Sequence, residues 1–135
     1  MVALTVSVHF FGLLGLLYLL RQRGDRFRAH ESTMGQGALV LFLVFGVFAI
    51  HTVEIWLYAV FYTLVGALAD FESALYFATV VFASLGFGDI VLGREWRLVS
   101  AIEAANGVIL FAWSTAFLLS VMARLKALEH DWLER

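Results

Sequence analysis

The chain has 135 residues, of which 62% are hydrophobic and 15% charged, with a formal net charge of −2 and a mean hydropathy of +0.90. That is far too apolar for a water-soluble domain of this size and places the chain in a bilayer. Cysteine is absent, which excludes disulfides and thiolate metal sites, proline is absent, which excludes proline-kinked helices, and no strongly basic half offers itself to nucleic acid.

A membrane-spanning helix needs about 20 apolar residues, and residues 1–20 supply the first. No Lys or Arg precedes this stretch and no small-residue cleavage pattern follows it, so it reads as a retained helix rather than a signal peptide. Residues 21–36 form a basic loop carrying Arg21, Arg23, Arg26 and Arg28, and residues 124–135 form a short tail opened by Arg124 and Lys126. Positive charge gathers on the cytoplasmic side, which predicts both segments inside and the N-terminus outside. Neither segment is large enough to fold alone. Residues 37–68 form a second span and 98–123 a third.

Between these spans, Asp70 stands before an apolar run, with Glu72 in its first turn, which predicts an N-capped helix over 71–83. At 1.5 Å per residue such a helix reaches about 20 Å, part-way through the hydrocarbon, as a re-entrant segment does. Its negative C-terminal end then favours a cation near the membrane centre. The run Ser84-Leu85-Gly86-Phe87-Gly88-Asp89 follows. Two glycines flanking one aromatic permit backbone conformations that residues with a Cβ resist, so that successive carbonyls can aim one way. Carbonyl rings of this kind replace an ion's hydration shell, as the Thr-Val-Gly-Tyr-Gly loop of potassium channels illustrates.

On these residues the stretch 37–126 resembles the pore module of the potassium-channel superfamily: outer helix, pore helix, filter and inner helix. The resemblance implies an all-α membrane protein, tetrameric around a central pore, with three transmembrane helices, a re-entrant pore helix over 71–83 and a filter loop over 84–89. It implies potassium as permeant ligand, held by the backbone carbonyls of Ser84, Leu85, Gly86 and Phe87 and the Ser84 hydroxyl, with Gly88 completing the filter and Asp89 capping it outside. Partners would be further copies of the chain, the bilayer and monovalent cations. No cofactor, catalytic group or enzymatic activity is expected, and the location would be a bacterial inner membrane. Relative to the family pattern, Ser84 replaces threonine, Leu85 replaces Val or Ile, and Phe87 replaces tyrosine. Val80 stands where some relatives carry a glutamate that pairs with the filter aspartate. Tyr76 stands where others carry a tryptophan that donates to it, so a Tyr76 hydroxyl to Asp89 contact is expected.

In the third span Gly107 falls at the family's hinge-glycine position, where close packing is the other reading. Helical spacing puts Phe111, Thr115 and Leu119 on its face, toward a central cavity, while Ser114 and Ser120 are expected to bond back to their own helix. Glu103, one turn above Gly107, is expected to support the filter from behind. An intramembrane carboxylate costs roughly 2.5 kcal/mol or more, so His51, Glu54, Glu103 and Asn106 are expected to share one polar network. The His51-x-x-Glu54 pair offers too few further ligands in the sequence for a metal site. His30 and His130, in the loop and the tail, are candidates for pH sensitivity. Three functions remain in view: a potassium channel, a weakly selective monovalent cation channel, and a non-conducting membrane scaffold that keeps the pore fold.

Overall fold

The computed structural model describes residues 1–24 and 33–124. They form α1 (Val2–Gly24), α2 (Thr33–Leu64), α3 (Phe71–Phe82) and α4 (Arg97–Arg124). Most of the basic loop, with His30, and the tail beyond Arg124, with His130, lie outside the described residues. Val2–Gln22, Gly37–Leu64 and Arg97–Ala123 are long and apolar enough to cross a membrane, and α3 is a short apolar helix between the last two.

Both α1 and α2 run further into the basic loop than the hydropathy pattern suggests. Arg and Gln are good helix formers, and basic residues suit a helix C-terminus. Gln22 also donates to the Tyr18 hydroxyl one turn back, at 2.6 Å. At its other end α2 stops at Leu64, four residues short of expectation, because a glycine turn closes it. Gly66 has φ +69, its N–H bonds Thr63 O at 3.2 Å, and the Ala67 N–H bonds Tyr62 O at 2.9 Å. This is the Schellman pattern, which satisfies the last carbonyls of the helix.

Asp70 then caps α3: its backbone is extended and its carboxylate accepts from the Ser73 N–H at 2.8 Å. The 12 residues of α3 reach about 18 Å, short of the hydrocarbon thickness of about 30 Å. One face of α3, with Ala74, Phe77, Ala78 and Phe82, packs on Tyr58, Ala59 and Tyr62 of α2 and Leu110 of α4. A second cluster joins Leu13 and Leu16 of α1 to Leu43 and Val47 of α2, with Phe117, Leu118 and Val121 of α4 against it. Met1 packs with the first cluster and Leu20 with the second. Thus α1 runs alongside α4 and opposite to α2. Helices in lipid gain little from apolar burial and associate by close contact. Here Ile50 fills the space at Gly12, and Leu16 that at Gly46.

Candidate functional site

The loop after α3 begins with a second Schellman closure. Ser84 N–H bonds Val81 O at 2.8 Å and Leu85 N–H bonds Val80 O at 2.9 Å, so Ser84 occupies the left-handed position usually given to glycine. It is the one residue other than glycine with positive φ among those described, at +57. Gly86 and Gly88 follow at +58 and +79, whereas Leu85 and Phe87 do not share the positive sign. The backbone therefore alternates in handedness from Ser84 to Gly88. The Ser84 hydroxyl lies 3.5 Å from Ala104 O on α4. Every residue from Ser84 to Asp89 is exposed in the single chain.

Behind the loop, Tyr76 and Asp89 are hydrogen-bonded side chain to side chain. That bond holds the Asp89 carboxyl below the usual carboxylate range, since a hydrogen bond to the charged form favours it. The Asp70 carboxyl is likewise held low by the Ser73 N–H it accepts. A cavity of about 200 Å³ lies between loop and helix, lined by Tyr76, Val80, Gly86, Gly88, Asp89 and Arg97 among others. Val80 has no charge to place there.

On α4, Gly107 is buried, and a Cβ at this position would overlap the Phe82 carbonyl oxygen at the end of α3. Only glycine lets the α4 backbone cross so near the base of the loop. Of the face below it, Thr115 and Leu119 are open, while the Phe111 ring leans on His51 and Phe82, with centroids 4.6 and 5.6 Å away. The Thr115 hydroxyl bonds back to Phe111 O at 2.9 Å.

The buried polar residues divide into three groups instead of the one network expected. Glu103 accepts from the Tyr62 hydroxyl at 2.6 Å, and its Oε1 finds no hydrogen-bond partner among the described residues. Asn106 donates to Thr5 Oγ1 at 2.8 Å, with the Tyr58 hydroxyl 3.5 Å away. Glu54 joins His51 and, from α1, His9. Ser114 belongs to this third group and does not bond back to its own helix, whereas Ser120 does so, to Ala116 O at 2.8 Å. Separation follows from direction and depth: Glu103 and Asn106 are less than a turn apart on α4 but face different partners, Tyr62 and Thr5, while Ser114 lies about two to three turns further along and meets the histidines. Sequence reading missed Thr5, His9, Tyr58 and Tyr62. The signal for α1 was there, since Thr5 and His9 are i,i+4 and mark one face of an apolar helix.

Comparison with known proteins agrees with this architecture over the three C-terminal helices. No curated protein and no solved structure matches the chain. A family model described as "Ion channel" matches residues 37–124, from the start of the second span to the end of α4. With that match over most of its length, the chain belongs to this ion-channel family and carries an additional apolar helix, α1, ahead of the shared module.

Proposed function

We propose that the chain assembles as a homotetramer and conducts potassium passively, with Ser84, Leu85, Gly86, Phe87 and Gly88 as the filter. The observation that carries this reading is the alternating φ of Ser84 to Gly88. In such a backbone consecutive peptide planes turn their carbonyls to one side, and four such strands form stacked oxygen rings. The half-length helix α3 aims its C-terminal dipole at the same point. The exposure of every residue from 84 to 89 in the single chain fits a loop whose other walls come from further copies. Potassium and sodium flux through the full chain in liposomes tests conduction, and native mass spectrometry tests the assembly. Potassium flux with a tetrameric mass is expected; monomers or dimers alone, or no flux, would sink the proposal.

Weak selectivity among monovalent cations is the second reading. It is favoured by Phe87, which offers no hydroxyl to tether the filter to the pore helix. Equal potassium and sodium flux would establish it.

A further inference from the structure

His9 of α1, His51 and Glu54 of α2, and Ser114 of α4 close a ring of four side-chain contacts inside the bundle. His9 Nδ1 meets Glu54 Oε1 at 2.9 Å and His51 Nδ1 meets Oε2 at 2.8 Å. The Nε2 atoms of His51 and His9 both face Ser114 Oγ, at 2.9 and 3.4 Å. All four residues are buried, and His9 and Glu54 have no exposed surface. The ring is the one place where α1 is joined to the α2–α4 module by titratable groups among the described residues.

Hydrogen counting gives its charge. Each of the four contacts needs one hydrogen, and the Ser114 hydroxyl supplies one. Three remain, shared among two imidazoles and a carboxylate. Three protons make the set electrically neutral, the state that apolar surroundings favour. A fourth puts hydrogen on both Nε2 atoms, leaves the Ser114 hydroxyl without an acceptor in the ring, and gives the set an uncompensated positive charge. Among the described residues no charged neighbour offsets that charge. The histidine rings otherwise meet the rings of Phe82 on α3 and of Phe111 and Trp113 on α4, and the nearest polar side chains, Thr5, Tyr58 and Asn106, are uncharged and bond one another. The other buried acid, Glu103, is engaged with Tyr62.

A shared metal ion is the competing occupant, since His9, His51 and Glu54 have ligand atoms within 4.8 Å of one another. The distances favour protons. Ligands on a tetrahedral zinc at about 2.1 Å stand about 3.4 Å apart, whereas the nitrogen-to-oxygen separations here are 2.8 and 2.9 Å. Each carboxylate oxygen also addresses a different ring, so the carboxylate itself fills the space between them.

We propose that this ring is a proton-binding latch, which ties α1 to the inner helix α4 when it holds three protons and loosens when acid adds a fourth. Its effect on conduction rests on the channel reading; its proton count does not. The full chain in lipid bilayers, with 15N-labelled histidine and 13C-labelled glutamate, reports the protons on His9, His51 and Glu54 directly. Three are expected at neutral pH and four after acidification, the added proton being the one that charges the set. A count that never changes, or stoichiometric zinc bound to protein incubated with zinc alone, would overturn the proposal. Spin labels at Gln22 and Met122 read the latch without any current: their distance distribution should broaden as the fourth proton binds, and four protons with an unchanged distance would overturn it. Where potassium flux is present, it should change at least about fivefold between neutral and acid pH. Ser114→Ala should flatten that profile and Ser114→Thr should preserve it. Identical profiles in wild type and Ser114→Ala would refute the latch, whereas absence of flux throughout would count against the channel reading and leave proton count and distance to decide.

Discussion

Phe87 faces outward from a loop that holds its neighbours in left-handed conformations, so its ring is free to take a polar tip. Phe87→Tyr adds a hydroxyl able to tether the loop to the pore-helix wall, and the reversal potential under bi-ionic potassium and sodium should move toward greater potassium preference. The neighbouring change is less simple. The family pattern favours threonine at position 84 for stiffness, but Ser84 sits at φ +57, where a β-branched side chain is strongly disfavoured. Asp89 carries a separate expectation. Its carboxyl is depressed below its ordinary value of 3.8, so its negative charge is present above that value and is lost only as pH falls through the lower, folded one. Low-salt conductance should therefore hold through mildly acid pH, and Tyr76→Phe should move the loss to higher pH. Asp89→Asn should lower low-salt conductance and abolish this titration. Glu103 is a third residue to test: Glu103→Ala strands the buried Tyr62 hydroxyl, at a cost of about 1–3 kcal/mol, while Glu103→Gln keeps an acceptor for it. Thermal denaturation in detergent should rank alanine well below glutamine.

The helices themselves differ in how tightly they tolerate change. At Gly107 an added methyl meets backbone, the Phe82 carbonyl, whereas at Gly46 it meets the end of the Leu16 side chain. Gly107→Ala should cost the larger share of the 1–3 kcal/mol or so typical of overpacking, and Gly46→Ala should be absorbed by a rotamer shift of Leu16. Melting temperatures of the two variants side by side check this. Most of the element plan was legible in the sequence, because three long apolar runs and one capped half-length run leave few alternatives. The Tyr76 to Asp89 contact was expected only from the resemblance to potassium-channel pores, whereas the Asp70 cap and the glycines of the loop were readable from residue type and spacing. The end of α2 was not, since Gly66 terminates the helix inside a run whose hydropathy continues to Leu68. Among the buried polar residues of the spans, pairing was legible only within an element. His51 and Glu54 could be matched as i,i+3 neighbours, but His9 and Ser114 join them across helices, and no local pattern encodes which faces meet.

At the scale of the molecule, α1 is no passive addition, because it completes the hydrogen bonding of a carboxylate on the shared module. A chain beginning at Thr33 would leave Glu54 Oε1 unpaired within the apolar core, at about 1–3 kcal/mol or more for a charged group. Such a truncation should express poorly or melt early, and co-expression with residues 1–24 as a separate peptide should restore it. Loop anchoring is equally uneven. The N–H groups of Ser84 and Leu85 are bonded to Val81 and Val80 of α3, while Gly86, Phe87 and Gly88 make no backbone–backbone hydrogen bond among the described residues. The Ser84 end of the loop is thus welded to α3, and among the described residues the Gly88 end is held through Tyr76 and Asp89. If the loop forms the proposed filter, any time-dependent shutting should begin at Gly86 and Gly88, and recovery of current should follow the potassium concentration on the Gly88 side of the membrane and not on the Ser84 side.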